Sequence, residues 1–284
     1  MQVVHTVADL RAALSGQDRT AFVPTMGNLH AGHVSLVELA KRHGSPVVAS
    51  IFVNPLQFGA GEDFERYPRT LAADCDKLAA AGCDLVFAPD ASALYPVAQT
   101  FKVDVPTALA DDLCGAFRPG HFAGVATVVL KLFHLVRPQV AVFGRKDYQQ
   151  LRVVKEMVRQ FNLPIGIVAG ATLRDPDGLA MSSRNGYLSA AERAQAPQLQ
   201  RELATVAAAL GAGMRDFAGL VAAARRRLED AGWRVDYVEI RDATSLKAAT
   251  RETPALVVLA AAWLGRTRLI DNLEVSAPTA GSAD

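Results

Sequence analysis

Two histidines three residues apart, His30 and His33, directly follow a short apolar strand, Ala21-Phe22-Val23, and open an amphipathic stretch. Imidazole can be protonated near neutral pH, and positions i and i+3 of a helical first turn share a face. Both rings can therefore stabilise charge on a phosphate in transfer. The amides at a helix start add unpaired donors and partial positive charge to the same place. Met26, Gly27, Asn28, Leu29, Ala31 and Gly32 fill the turn around the histidines. Its spacing is neither G-x-x-x-x-G-K-[ST] nor G-x-G-x-x-G. Two other readings stand beside the nucleotide one. The pair could be two partly exposed surface histidines, or half of a zinc site lacking a C-x-x-C or a third nearby ligand.

Three further segments carry groups suited to a polar ligand. Asn54 and Gln57 follow a second apolar run, and their amides offer donors and acceptors without charge; ordinary Asn-Pro turn chemistry is the alternative. Gly144, Arg145, Lys146 and Asp147 form a strand-to-helix turn. Lys146 could meet a phosphate and Asp147 a ribose hydroxyl, or Asp147 could simply cap a helix beside a solvated lysine. Gln150 lies one turn further, on the same helix face. Met181, Ser182, Ser183, Arg184 and Asn185 put two hydroxyls and a guanidinium in sequence, an anion cradle or a hydrophilic loop. A connector between domains is a common place for a small molecule.

The elements that would position these groups alternate. Helices are expected over 7–15, 70–81 (capped by Thr70 and stopped by Gly82), 106–116, 123–137 and 147–161. The helix after His33 would carry Val34, Leu36, Val37 and Leu39, with Lys41, Arg42 and His43 in its last turn at the negative end of the dipole. Strands are expected over 21–23, where Pro24 and Gly27 end the first one, and over 46–52, 84–88, 101–105, 139–143 and 164–168. Continuous apolar runs suit parallel strands buried on both faces. The pattern predicts an α/β fold, a Rossmann-like doubly wound parallel sheet, with ligands beyond the strand carboxyl ends. From about residue 171 the texture changes. Helices over 189–209 and 217–231, a helical piece near 244–249, and strands over 233–242, 255–264 and 267–273 predict a smaller α+β domain. The division is expected as 1–172, a ligand-binding sheet domain, and 173–284, a smaller domain that could close as a lid; the tail 277–284 is expected to fray.

Composition narrows the class. The 284 residues are 50% hydrophobic and 21% charged, as for a globular protein with a core, and the net charge of +1 gives no footprint for nucleic acid or an anionic membrane. Cys75, Cys83 and Cys114 are odd in number and unclustered, which suits free thiols in a reducing compartment. The amino terminus lacks the apolar core of a signal peptide, and 255–264 is too short to span a bilayer. A cytoplasmic protein is expected.

The run PTMGNLHAGHVSL resembles the H-x-G-H motif of the nucleotidyl-transferring superfamily that includes class I aminoacyl-tRNA synthetases. Its wording is closer to the pantothenate synthetase (pantoate–β-alanine ligase) family. SIFVNPLQFG, YPRTL, CGAFRPGHFAGVATVV, GRKDYQQL and GLAMSSRNGYLS resemble that family in wording and order, over roughly residues 20–190. The carboxy-terminal domain resembles it only in general character. The resemblance implies ATP-dependent joining of (R)-pantoate to β-alanine through pantoyl adenylate, releasing diphosphate and then AMP. It implies that Met26 to His33 line the ATP site, with His30 and His33 on the triphosphate and His33 the proton donor. Gly144, Arg145, Lys146, Asp147, Leu173, Met181, Ser182, Ser183 and Arg184 would complete that site. Gln57 and Gln150 would hold pantoate with Asn54 nearby, and Val125, Val128 and Val129 would face its gem-dimethyl group. Mg²⁺ would accompany ATP with no metal ligands from the protein, and a homodimer would form through the first domain. Three positions depart from the family's wording: Arg145 stands where Glu is usual, and Asn28 and Ala31 where Ala and Glu are common. Another transferase of the superfamily, such as a cytidylyltransferase, would not need the Gln57 and Gln150 pair, and a nucleotide-binding regulator would not turn over.

Overall fold

The computed structural model describes residues 1–276; the tail expected to fray lies outside the described residues. The chain divides into two compact units. The first comprises Met1–Arg145 and Gln149–Leu173, and the second Lys146–Tyr148 and the chain from Arg174 onward.

In the first unit the elements run β1 (Gln2–Val4), α1 (Val7–Ala13), β2 (Ala21–Thr25), α2 (Ala31–Ala40), β3 (Val47–Ile51), α3 (Leu71–Ala81), β4 (Leu85–Phe87), two four-residue helices α4 (Ala91–Leu94) and α5 (Thr107–Ala110), α6 (His121–Val136), β5 (Val140–Gly144), α7 (Tyr148–Gln160) and β6 (Gly166–Gly170). Six strands form one parallel sheet in the order β1-β4-β3-β2-β5-β6. This is the expected Rossmann-like architecture. The order reverses between β2 and β5, so the chain leaves their carboxyl ends at the switch point where such sheets hold ligands. Ala21 and Val23 of β2, Val47 and Ala49 of β3, Val86 of β4 and Val142 of β5 pack under Leu36, Val37 and Ala40 of α2 and Leu78 and Ala81 of α3. That shared core holds α2 and α3 side by side on one face.

Several boundaries differ from the sequence reading, each for a physical reason. Pro24 does not end its strand. Thr25 still accepts from the Phe52 amide on the β3 side, so Pro24 faces β5, where pairing has stopped at Phe22. No ladder bond is therefore lost to its missing N–H. Helix α2 ends at Ala40, before Lys41, Arg42 and His43; Lys41 instead donates to the Ala81 carbonyl at the end of α3. Thr70 sits before α3 but makes no side-chain cap, its hydroxyl donating to Asp74 Oδ2 at 3.0 Å. Residues 101–105 form no strand, because the Val103 amide is taken by Thr127 Oγ1 of α6 at 3.0 Å. The helix expected over 106–116 is broken into α5 and a 3-10 turn, Gly115–Phe117. There the buried Gln149 amide donates to the Leu109 and Asp112 carbonyls and accepts from the Cys114 amide. The short edge strand β1 was not anticipated.

The second unit contains α8 (Ala190–Gln195), α9 (Gln198–Gly211), α10 (Phe217–Asp230), β7 (Arg234–Asp242), β8 (Ala255–Leu264) and β9 (Thr267–Ser276), the strands forming an antiparallel sheet in the order β7-β8-β9. Leu199, Leu203, Val206 and Leu210 make one helical stripe on α9. It packs in one core with Leu228 of α10 and Val258, Ala260 and Ala262 of β8. The single helix expected over 189–209 is two helices, divided at Ala196-Pro197, where proline has no amide to continue the ladder. The helical piece near 244–249 is a turn: Asp242 Oδ1 accepts from the amides of Thr244 and Ser245.

Candidate active site

The turn between β2 and α2 places both histidines. His30 is the N-cap of α2 and His33 its third residue. His30 Nδ1 accepts from the Gly32 amide at 3.1 Å, and His33 Nδ1 accepts from the His30 amide at 3.3 Å. This reciprocal capping box is built from two imidazoles in place of the usual hydroxyl and carboxylate. The ring centroids lie 4.1 Å apart. An Nδ1 that accepts a backbone hydrogen cannot carry its own, so each neutral ring bears its proton on Nε2. The turn thus carries two adjacent Nε2–H donors. It differs in one respect from the sequence expectation: the Gly32 and His33 amides are already bonded to His30, so the imidazoles, more than those amides, are the groups it offers an anion.

Gly32 is required by this packing. A Cβ there would lie 2.8 Å from His30 Cε1 and 2.9 Å from its Nδ1, so the glycine lets the ring fold back over the helix start. Leu173 is beside the same glycine, 3.8 Å from that Cβ position. Gly27 and Asn28 both have left-handed backbones, with φ of +82° and +50°. Asn tolerates that region better than most side chains, which suits the departure at position 28.

The loop after β3 holds the amide pair. Asn54 is buried and fully engaged: Oδ1 accepts from the Leu56 amide and from Tyr95 Oη at 2.8 Å, and Nδ2 donates to the Gly124 carbonyl and to Gln57 Oε1 at 3.1 Å. Gln57 Nε2 faces Met26 Sδ at 3.1 Å, a weak acceptor that a better one can displace. Asn54 therefore orients Gln57, and Gln57 is the member with an exchangeable contact. Helix α6 approaches closely enough that a Cβ on Gly124 would lie 2.1 Å from the Leu56 carbonyl oxygen. Val125, Val128 and Val129 of α6 are buried. His121 Nδ1 donates to the Gln57 carbonyl at 2.8 Å, and Arg118 pairs with Glu62 and also reaches that carbonyl. Arg118 and His121 stand in the RPGH run, but their part in holding Gln57 was not read from it.

Of the tandem glutamines that open α7, Gln149 is consumed by the 109–114 turn, whereas the Gln150 amide has no hydrogen-bond partner among the described residues. Gly144 ends β5, and Arg145, exposed, begins the 3-10 turn Arg145–Asp147. Lys146, Asp147 and Tyr148 belong to the second unit. The Lys146 carbonyl accepts from Asn272 Nδ2 at 2.9 Å, and Tyr148 Oη donates to the Ala243 carbonyl and Glu274 Oε1. Lys146 Nζ lies 3.9 Å from Asp147 Oδ1.

The polar connector is a tied loop. Arg174 bridges Ala180 across its base and forms a two-bond pair with the buried Asp271 of β9, at 2.7 and 2.9 Å. Arg193 binds both Asp175 and Asp177 and holds the Asp177 carboxyl below its ordinary value. Met181 follows this loop. Ser182 caps the 3-10 turn Ser183–Tyr187 by accepting from the Arg184 amide, and Asn185 donates to the Ala180 carbonyl. Among the described residues no group of three His, Cys, Asp or Glu side chains is placed to hold a metal ion. None of their helices is long and apolar enough to cross a membrane.

Comparison with known proteins gives the family. The family model described as pantoate-beta-alanine ligase matches residues 2–274. A pantothenate synthetase of Thiobacillus denitrificans is 88% identical over 276 residues, 97% of this chain and 98% of that protein. One from Neisseria meningitidis serogroup B is 58% identical over 98% of this chain and all of its own length. The crystal structure of pantothenate synthetase from Thermus thermophilus superposes with a TM-score of 0.94 at 48% identity, over 98% of this chain and all of that one. The pantoate-beta-alanine ligase of Francisella tularensis, complexed with beta-gamma ATP and beta-alanine, superposes at 0.79 and 30% identity over 96% and 97% of the two chains. A fold with its switch point at the two-histidine turn, matched along nearly its whole length by one family, leaves a single assignment: this chain belongs to the pantoate-beta-alanine ligase family.

Proposed function

We propose that the His30–His33 turn serves the triphosphate of ATP in the reaction of this family. The chain is an ATP-using ligase that joins pantoate to β-alanine. A carboxylate is a poor electrophile, so it must first gain a leaving group. A pantoate carboxylate oxygen attacks the α-phosphorus of ATP, the bond to diphosphate breaks, and pantoyl adenylate forms. The β-alanine amine then attacks the acyl carbon, a C–N bond forms, AMP leaves, and the amine loses a proton. Such chemistry is mostly positioning and charge stabilisation.

His30 and His33 donate from Nε2 to phosphate oxygens, and His33 Nε2–H is the proton donor toward the leaving diphosphate, its Nδ1 keeping the His30 amide. Lys146 adds a compact positive charge on phosphate and Asp147 accepts from the ribose. Met26 to Gly32, Gly144, Arg145, Leu173 and Met181 to Arg184 line the nucleotide. Gln57 and Gln150 bind pantoate, Asn54 keeps Gln57 in place, and Val125, Val128 and Val129 face the dimethyl carbon. Mg²⁺ would accompany ATP as the usual counter-ion of a triphosphate. When bound it offsets phosphate charge. The observation that carries the reading is the paired capping of the two imidazoles, which fixes both donors at the end of β2. Product analysis tests it: turnover must release AMP and diphosphate, and release of ADP and phosphate would rule out the adenylate.

The protein acts as a homodimer in the cytoplasm on this reading. Support comes from Val97 and Phe101, 76% and 89% exposed in a stretch of the first unit with β-like composition and no strand partner. Phe101→Asp is expected to shift sedimentation from dimer to monomer. A parent chain that sediments as a monomer would remove the dimer.

A further inference from the structure

Asp74 is a fully buried carboxylate that the reaction above does not use. It lies on α3, yet its oxygens point at the turn that carries the histidines. Oδ2 accepts from the Asn28 amide at 2.8 Å and Oδ1 from the Leu29 amide at 2.7 Å, while the Thr70 hydroxyl donates to Oδ2. One turn along the same helix, Lys77 Nζ donates to the Leu29 carbonyl at 2.6 Å. Both polar groups of the Leu29 backbone, the residue before His30, are thus held by α3.

The arrangement is costly by itself. A buried charge must be solvated by donors, and Asn28, a non-glycine residue with a left-handed backbone, needs its surroundings to hold it there. Successive amides in that conformation form a concave donor site for an anion. Here the anion is the carboxylate, and it fits tightly: a Cβ on Gly27 would lie 3.1 Å from Asp74 Oδ2. Because two amides point at two oxygens, the group must accept at both positions. Asparagine has one acceptor, so it would leave one amide facing an NH₂. We propose that Asp74, with Lys77, is a positioning clamp for the His30–His33 turn, so that α3 sets how well the turn receives ATP without giving a group to substrate. This rests on the reading that the turn serves ATP.

The test compares Asp74→Asn, Lys77→Met and His33→Ala in pantoate-dependent exchange of labelled diphosphate into ATP, with the KM of each substrate and a melting curve for each variant. A misplaced turn costs on the order of 10²-fold. Asp74→Asn is therefore expected to lower exchange by that order, with the ATP KM raised far more than the pantoate KM while the protein stays folded. Lys77→Met keeps the aliphatic stem and should give a smaller change of the same kind; it decides the matter if Asp74→Asn does not fold. Parent-like exchange, or equal rises in both KM values, overturns the clamp. If His33→Ala keeps parent exchange, the ATP reading of the turn has failed. If His33→Ala loses exchange and the α3 variants do not, only the clamp has failed.

Discussion

Replacing His33 or Lys146 by alanine lowers pantoate adenylation on the order of 10²-fold or more, the usual cost of removing one donor aimed at developing charge. For His33 the loss has two parts, because Nδ1 caps the His30 amide while Nε2 is the donor proposed for phosphate. His33→Asn separates them. Its side-chain oxygen can still accept from the His30 amide, but nothing replaces Nε2. Equal slowing in His33→Ala and His33→Asn assigns the loss to Nε2, whereas recovery in His33→Asn assigns it to the cap. Lys146→Ala is cleaner, since the backbone there is anchored through its carbonyl by Asn272 and survives truncation of the side chain. Rates near the parent's in both alanine variants would remove the assignment.

The second large effect separates the substrates. Gln57→Ala and Gln150→Ala are each expected to raise the pantoate KM on the order of 10- to 100-fold, from the roughly 1.5–3 kcal/mol of a hydrogen bond to a charged partner. The ATP KM should move far less. The two differ in side effects. Gln57 is bonded to Asn54 and Met26, so its loss also leaves the buried Asn54 Nδ2 with one partner fewer and should lower the melting temperature. Gln150 has no such bond to lose among the described residues and should melt like the parent. Equal rises in both KM values for either variant would argue against placing it on pantoate.

The parts of the fold and site that the sequence disclosed are those written in contiguous residues. The apolar runs over 46–52 and 139–143 suited buried strands, which form at Val47–Ile51 and Val140–Gly144, and the two histidines stood where a helix starts. Several of the differences share a cause, a local preference overridden by a distant partner. Residues 101–105 have strand composition, but Thr127 takes the Val103 amide. Pro24 is tolerated in a central strand because only one side needs its amide. Pro197 was visible and should have divided its helix. Asp74 could not be found from its neighbours, since the amides it holds are 45 and 46 residues away. Gln149 and Gln150 are identical in sequence; only the backbone groups at Leu109, Asp112 and Cys114 show which is structural.

The measurement that bears most directly on the central claim is exchange of labelled diphosphate into ATP, with Mg²⁺ and pantoate and without β-alanine. Pantoyl adenylate formed at this site must be reversible by diphosphate. Exchange is therefore expected only when pantoate is present, and adding β-alanine should then yield pantothenate and AMP. Exchange that proceeds without pantoate, or none at all while ATP still binds, would contradict an acyl adenylate made at the His30–His33 turn.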